Sequence, residues 1–403
     1  MTANRVGLTA VLFWALASSG CGGGVGAVQP GGTGQPPSVS LAFATIANLS
    51  SGGTKPGSVV LADFNSDGKL DVAVSNFSSN TISVFLNKAD GTFLSPIISP
   101  IQITALGLGP IAEGDFNKDG KADLVVGTIA GSQADIVLLG NGNGTFRQLS
   151  PIPNSFGFFH ARVVDLNGDG HQDLVTGDNG NISVFLGHGD GTFSAGTFLP
   201  SGSFPGAYLG IVVGDFNGDN KLDIVACDAV SSPVGALVFY AGRGDGTFQM
   251  PTSANLVSSF PGSLASGDFN GDGKKDLLIG FPGDAFIVPG NGDGTFQEGL
   301  SSLVSVYSTK NFSTTNGLTV VTADLDLDGK PDALVADYGG GILTLVLSNA
   351  LSKIPPATGI YQFTLSPGLS DIAFGDLNGD GLPDVVVVNV LTNEISIALS
   401  RKP

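Results

Sequence analysis

The chain has 403 residues and a formal net charge of −18, from 17 basic and 35 acidic residues. This charge excludes the basic surface that a nucleic-acid-binding protein needs, and we expect no nucleic-acid partner. With 61 glycines, 26 phenylalanines and only 13% charged residues, the composition is typical of a turn-rich all-β protein.

The N-terminus has the pattern of an export signal. Arg5 precedes an apolar run over residues 6–17, which is too short to span a bilayer. The small residues before Cys21 resemble the lipobox of bacterial lipoproteins, although Ser18 stands where that motif usually has Leu. The resemblance implies a signal peptide over residues 1–20 and lipidation of Cys21. An ordinary cleaved signal with an incidental cysteine is the alternative.

Residues 21–38 are rich in Gly, Pro and Gln and indicate a flexible tether between this anchor and a domain over residues 39–403. We therefore expect an exported protein of the bacterial cell envelope, an outer-membrane lipoprotein or a cell-surface protein. It would touch the membrane only through its lipid anchor.

Seven acidic nine-residue loops then follow, and the starts of consecutive loops are 50 to 56 residues apart. The loops span residues 63–71, 115–123, 165–173, 215–223, 268–276, 324–332 and 376–384. Short β-branched and aliphatic runs between Gly/Asn/Asp clusters predict about four antiparallel strands per period.

Four strands repeated seven times predict an all-β, seven-bladed β-propeller of four-stranded antiparallel blades. The seventh repeat ends after its third strand, at residues 394–399, and an unpaired apolar run over residues 40–46 precedes the first loop. We expect this N-terminal strand to complete the last blade and to close the ring.

Oxygen-bearing side chains recur at positions 1, 3, 5 and 9 of each loop, with Gly usually at position 6. Ca²⁺ takes six to eight oxygen ligands in flexible geometry, so the pattern predicts up to seven calcium sites, with position 7 contributing its backbone carbonyl. These loops hold 22 of the 35 acidic residues, three in each of six loops and four in the sixth. The low isoelectric point therefore belongs to the predicted metal sites.

The candidate ligands follow in loop order. They are Asp63, Asn65, Asp67, Lys69 and Asp71; Asp115, Asn117, Asp119, Lys121 and Asp123; Asp165, Asn167, Asp169, His171 and Asp173; Asp215, Asn217, Asp219, Lys221 and Asp223; Asp268, Asn270, Asp272, Lys274 and Asp276; Asp324, Asp326, Asp328, Lys330 and Asp332; Asp376, Asn378, Asp380, Leu382 and Asp384.

An Asp at position 9 followed directly by a β-run resembles the FG-GAP (VCBS-type) repeats of integrin α-subunit propellers. The resemblance covers about residues 40–400. It implies that each loop joins the first and second strands of a blade and holds Ca²⁺. Two departures are interpretable: Asn220 replaces the usual Gly, and Asn best tolerates a left-handed backbone. Asp326 replaces the usual Asn and adds a negative charge to the sixth loop.

The connections between blades 2 and 5 carry aromatic residues that we expect on the side of the ring opposite the loops. The candidate ligand-binding residues are Phe158, Phe159, His160, Phe204, Tyr208 and Phe260. Exposed aromatics there would suit a polysaccharide or a peptide, whereas buried ones would only cap the core between blades.

We therefore expect a monomeric, noncatalytic binding or adhesion platform for extracellular polysaccharide or protein. Two alternatives remain open: a catalytic propeller acting on extracellular polysaccharide, as a lyase or hydrolase, and an envelope scaffold. An enzyme could use Asp178, Asp228 and Asp337, which end the second strands of three blades, although these also fit turn caps.

Overall fold

The computed structural model describes residues 42–43, 47–103, 107–129, 135–177, 181–199, 208–228, 236–255, 262–281, 284–297, 304–308, 318–348 and 360–401. The predicted signal peptide, the tether and Cys21 lie outside these residues. Within the described part of the chain, no helix is long and apolar enough to cross a membrane.

Seven four-stranded antiparallel sheets confirm the predicted propeller. Blade 1 consists of β3 (Pro56–Ala62), β4 (Asp71–Asn76), β5 (Thr81–Phe85) and β6 (Ile97–Pro100). Blade 2 consists of β7 (Gly107–Gly114), β8 (Asp123–Ile129), β9 (Ile136–Gly140) and β10 (Phe146–Gln148). Blade 3 consists of β11 (His160–Val164), β12 (Asp173–Gly177), β13 (Ile182–Phe185) and β14 (Thr197–Leu199).

The next three blades repeat this order. Blade 4 consists of β15 (Tyr208–Gly214), β16 (Asp223–Asp228), β17 (Ala236–Tyr240) and β18 (Thr252–Asn255). Blade 5 consists of β19 (Ser263–Gly267), β20 (Asp276–Phe281), β21 (Asp284–Val288) and β22 (Val304–Ser308). Blade 6 consists of β23 (Leu318–Ala323), β24 (Asp332–Asp337), β25 (Ile342–Val346) and β26 (Ile360–Thr364).

The seventh blade joins the two ends of the chain. It contains β27 (Leu369–Gly375), β28 (Asp384–Asn389), β29 (Glu394–Ala398) and, as its outermost strand, β2 (Ala47–Ser50). A short antiparallel pair of β1 (Ala42–Phe43) with β30 (Ser400–Arg401) extends this junction. Closure by an N-terminal strand is thus confirmed, but its residues differ from those predicted, because residues 47–50 occupy the place expected for 40–46.

The apolar core lies between the blades, because both faces of each sheet are covered by neighbouring sheets. Seven buried clusters each combine side chains from two consecutive blades, including one between blade 7 and blade 1. The first strand of each blade is innermost, and each innermost strand contacts the next around the ring. This arrangement leaves one edge of every innermost strand facing a central channel.

Candidate functional site

The seven acidic loops lie at the same end of the ring, because each one joins the innermost strand of its blade to the second strand. Position 9 is the first residue of that second strand in every blade. This agrees with the connection that the family resemblance implies.

Position 1 organises the loop by accepting backbone hydrogen bonds. In the first loop, Asp63 Oδ2 accepts from the N–H of Gly68 at 2.7 Å and Oδ1 accepts from the N–H of Asp67 at 3.0 Å. The bond from position 6 to position 1 recurs in all seven loops. Position 6 has a positive φ throughout, including 61° at Asn220, so the expected left-handed asparagine is present.

Positions 3, 5 and 7 are linked in the same repeated way. In the first loop, Asn65 Oδ1 accepts from the N–H of Asp67 at 2.9 Å, and Asp67 Oδ1 accepts from the N–H of Lys69 at 3.0 Å. Both bonds occur in every loop. Only the backbone of position 7 is used in them, which explains how Lys, His171 and Leu382 can share that position.

Position 9 is buried and binds two separate backbone segments. Asp71 Oδ2 accepts from the N–H of Phe64 at 3.0 Å, within the loop, and Oδ1 accepts from the N–H of Asn87 at 2.8 Å, just after the third strand. The other six loops have the same pair of bonds. Each carboxylate oxygen has a second lone pair, so these bonds still leave room for a cation.

The clustered carboxylates are unfavourable when no cation balances them. Burial raises the pKa of Asp71, Asp123 and Asp384 to about 6, and the neighbouring aspartates add to the shift. Burial raises the pKa of Asp332 further, to about 7. Such shifts mean that the charged form is poorly solvated in the folded protein.

The sixth loop forms the tightest cluster. Carboxylate oxygens of Asp324, Asp326 and Asp332 lie within 4.8 Å of one another. Asp326 is fully buried, its Oδ2 has no hydrogen-bond partner among the residues that the structure describes, and burial raises its pKa to about 6. A buried carboxylate oxygen without a partner is costly, and a cation is the natural group to satisfy it.

Three of the six predicted aromatic-face residues have side chains in the part of the chain that the structure describes, and none of these three is exposed. Phe158 is buried in the core between blades 2 and 3, and His160 is buried at the start of β11, so neither ring is exposed for stacking. Phe159 is half-buried. Phe204, Phe260 and the side chain of Tyr208 lie outside the described residues.

A different aromatic pair is exposed. Phe156 is 61% and Phe198 43% exposed, with ring centroids 5.9 Å apart and ring planes inclined by 32°. The register of blade 3 places β14 and the start of β11 at the end opposite the loop, which follows Val164.

Of the carboxylates considered for catalysis, Asp337 accepts from the N–H of Gly339 at 2.9 Å, as a turn cap does. Asp178 and the side chain of Asp228 lie outside the described residues.

Comparisons with known proteins agree with this architecture. The FG-GAP-like repeat model matches residues 63–126, 115–176, 165–226, 227–279, 268–335 and 324–387. Integrin alpha-V from Gallus gallus is 30% identical over 214 residues, which is 46% of this chain and 20% of the relative. Phosphatidylinositol-glycan-specific phospholipase D from Bos taurus is 30% identical over 205 residues, or 42% of this chain and 22% of the relative. The chain thus spans about a fifth of the length of these relatives.

Two solved structures share the fold. A BBS1N chain in complex with ARL6DN aligns with a TM-score of 0.60 at 13% identity, covering 90% of this chain and 97% of that one. A lectin from Agrocybe aegerita that recognises non-reducing terminal N-acetylglucosamine aligns with a TM-score of 0.53 at 20% identity, covering 84% and 86%. Seven sheets in a ring, seven acidic loops with the same hydrogen-bond pattern and matches over most of the sequence lead to one conclusion: the chain belongs to the FG-GAP-like repeat family and folds as an integrin α-type propeller.

Proposed function

We propose that this protein is an exported propeller, stiffened by calcium, that serves as a noncatalytic binding or adhesion platform for an extracellular polysaccharide or protein. The propeller fold of the FG-GAP-like family supports a binding platform in general. Asp326 Oδ2 is buried beside Asp324 and Asp332 and has no hydrogen-bond partner within the described part of the chain, and this is the observation that carries the calcium part.

Calcium suits the donor set better than other common cations. The loop offers carboxylate, amide and backbone carbonyl oxygens, and no thiolate or imidazole is needed as a ligand. Hard oxygen donors select Ca²⁺ or Mg²⁺, and Mg²⁺ demands near-ideal octahedral geometry and keeps several waters. Three or four acidic side chains per loop would supply enough protein oxygens for the larger, less demanding ion.

The repeated hydrogen bonds give the residues separate tasks. Position 1 and position 9 would hold the loop around the ion while keeping lone pairs for it, as the paired backbone bonds of Asp63 and Asp71 illustrate. Bound cations would supply positive charge that offsets the repulsion among the carboxylates. Calcium would then stabilise the folded ring by mass action, at about 1.4 kcal/mol per site when free calcium is tenfold above Kd.

Metal analysis of equilibrium-dialysed protein tests the calcium part. Replacing Asp324 and Asp328 together by Asn should remove one equivalent of calcium. Replacing Asp326 alone by Asn restores the residue that the other six loops have at this position, so it should keep the stoichiometry and weaken the site by about tenfold. Protein that holds no calcium, or a D326N variant that binds more tightly, would contradict the proposal.

The exposed Phe156–Phe198 pair supports the platform part, because surface aromatics are common at carbohydrate and peptide sites. Screening of a glycan array and of extracellular protein fractions in calcium would identify the ligand class. Turnover assays on any ligand found would then test for catalysis. Phe156→Ala and Phe198→Ala should abolish binding, whereas Met250→Ala, which removes another exposed apolar side chain, should not. Retained binding by both Phe variants, or turnover of a bound glycan, would contradict this part.

The location of the protein follows as part of the same proposal. The N-terminal pattern around Cys21 predicts export and lipid anchoring at the cell envelope. Metabolic labelling with a radioactive or clickable fatty acid should mark the wild type and leave a Cys21→Ala variant unlabelled. A labelled C21A variant would rule out this residue as the anchor.

A further inference from the structure

Nine asparagines of the chain are followed directly by glycine, and this pair of residues has a chemistry of its own. Because glycine has no Cβ, its backbone nitrogen can approach the side-chain amide of the preceding residue closely. Asparagine is accordingly one of the thermally labile residues of proteins. Two of the pairs, Asn179-Gly180 and Asn316-Gly317, lie outside the described residues. The other seven lie in the acidic loops or in the turns that follow the third strands.

In five of the seven described pairs, the backbone N–H of the glycine donates a hydrogen bond. In the third, fourth, fifth and seventh loops, it donates to Oδ1 of the aspartate at position 1, at 2.7 or 2.8 Å. These four are Gly168, Gly218, Gly271 and Gly379. In blade 2, the N–H of Gly144 donates to the carbonyl of Phe64, in the acidic loop of blade 1, at 2.8 Å. Attack by such a nitrogen on the preceding side chain first requires this bond to break.

Gly142 and Gly292 are the exceptions. The N–H of each has no hydrogen-bond partner in the part of the chain that the structure describes. Asn141 and Asn291, which precede them, are exposed and occupy equivalent places in the turns of blades 2 and 5. Exposed turn tips open more easily than the elements they connect. The structure therefore separates two asparagines from five others that have the same neighbour in sequence.

The side-chain amides of these two asparagines have the same surroundings. Nδ2 of Asn141 donates to Oγ1 of Thr145 at 2.9 Å, and Nδ2 of Asn291 donates to Oγ1 of Thr295 at 2.9 Å. A hydroxyl group is both a donor and an acceptor, and its hydrogen can rotate. The amide nitrogen thus lies beside a group that can supply a proton to it when it leaves.

We propose that Asn141 and Asn291 are sites of spontaneous deamidation in the folded protein. The nitrogen of Gly142 or Gly292 forms a bond to Cγ of the preceding asparagine, and the bond from Cγ to Nδ2 breaks. The amide nitrogen leaves as ammonia, and the proton of the glycine N–H goes with it. Water then opens the cyclic imide at one of its two carbonyl groups and gives aspartate or isoaspartate. The reaction needs neither an oxidant nor a cofactor, and it does not depend on the proposed calcium or ligand binding.

The modification changes a turn that contacts the neighbouring blade. Either product replaces an amide by a carboxylate and adds a negative charge. Isoaspartate also adds a methylene group to the backbone, within a turn that is closed by the bond from the N–H of Asn141 to the carbonyl of Thr145 at 2.9 Å. The same turn binds the acidic loop of blade 1 through Gly144 and Phe64. In blade 5, the N–H of Gly294 binds the fourth loop in the equivalent way, at 3.0 Å from its acceptor.

Mass spectrometry of peptides from aged protein tests the proposal. The wild type is incubated in mildly alkaline, calcium-containing buffer made with heavy-oxygen water, so that only amides lost during the incubation become labelled. Electron-transfer fragmentation assigns the position and separates isoaspartate from aspartate. We expect Asn141 and Asn291 to react at least about tenfold faster than the other five, because ring closure at those five must first break a hydrogen bond. Asn143, two residues from Asn141, is the internal control.

Unfolded protein separates the effect of the fold from that of the sequence. In urea, which removes the hydrogen bonds, the seven asparagines should react at rates within about threefold of one another. Asn141→Gln should abolish labelling at its own position and leave the rate at Asn291 unchanged, and Asn291→Gln should do the reverse. Folded protein in which Asn143 or the loop asparagines react as fast as Asn141 and Asn291 overturns the proposal. Rates that already differ about tenfold in urea overturn it as well.

Discussion

The backbone N–H of Asn87 donates to Oδ1 of Asp71 at 2.8 Å, and this bond connects the acidic loop of blade 1 to the segment just after its third strand. Six other residues donate the equivalent bond in the remaining blades. They are Gly140, Gly187, Gly242, Gly290, Ser348 and Ser400. The ninth aspartate is therefore a structural link within each blade as well as a candidate metal ligand.

This double role predicts different effects for two substitutions in one loop. Asp71→Asn leaves an amide N–H facing a buried backbone N–H, whereas Asp67→Asn changes an exposed residue. At saturating calcium, which removes the repulsion among carboxylates, D71N should lower the free energy of unfolding by about 1–3 kcal/mol more than D67N. Urea unfolding of both variants measures the difference. Equal losses would mean that the position 9 bonds contribute nothing beyond metal ligation.

Asn220 allows a test of the left-handed turn in a single loop. Its φ of 61° is unfavourable for most side chains, and its N–H donates to Asp215 Oδ2 at 2.9 Å. Asn220→Ala should destabilise the protein by about 1 kcal/mol, because alanine tolerates this conformation less well than asparagine. Asn220→Gly, the residue found in the other six loops, should be neutral within a few tenths of a kcal/mol. Urea unfolding at fixed calcium measures both; a more stable N220A would exclude backbone strain as the reason for the residue type.

Closure of the ring can be tested by removing β2. A chain that begins at residue 51 lacks the strand paired with β29, together with the hydrogen bond from Ser396 Oγ to Asn48 Oδ1 at 2.8 Å. The exposed edge of β29 should make this chain unfold at lower temperature and self-associate. A chain beginning at residue 39 is the control. Light scattering and thermal unfolding measure the effect, and a peptide spanning residues 39–50 should restore the monomer. A truncated chain that melts like the control would show that closure does not depend on β2.

The blades and the positions of the loops can be predicted from the sequence for two reasons. A fifty-residue period is compatible with few architectures. Gly at positions that need a positive φ, and clustered Asp, each have few structural roles. The closing strand was misplaced by several residues for a physical reason. Residues 47–50 are mostly exposed, since an outermost strand needs little apolar surface, whereas the prediction favoured the more apolar residues 40–46.

The aromatic prediction shows the limit of local sequence. Phe156 and Phe158 are two residues apart, yet the first is exposed and the second is buried. Gly157 lies between them with a φ of 83°, and a Cβ there would clash with the carbonyl oxygen of Thr128. Whether a side chain beside this turn points inward depends on the neighbouring blade, so composition could not separate the two. Phe198, on an outermost strand, carried no signal beyond its residue type.

His160 predicts how stability should depend on pH. It is buried, its Nδ1 has no hydrogen-bond partner in the described ranges of the chain, and burial together with the charge of Arg162 lowers its pKa to about 3 from 6.5. In the unfolded chain the imidazole protonates as the pH falls below about 6.5, whereas in the folded protein it stays neutral down to about 3. The unfolded state thus binds more protons in this window, and this histidine costs stability as the pH falls through it.

A variant without an ionisable group at this position isolates the effect. We expect the unfolding free energy of His160→Phe, relative to the wild type, to rise as the pH falls from about 6.5, by up to about 1.4 kcal/mol per pH unit. Above pH 7 the relative stability should be constant, whatever its value, because the imidazole is neutral in both states. Urea unfolding at matched pH values gives this difference, and the same substitution at His188, an exposed residue of a hairpin turn, is the control. A relative stability that does not change between pH 7.5 and 4.5 would mean that His160 becomes protonated in the folded protein as readily as in the unfolded chain.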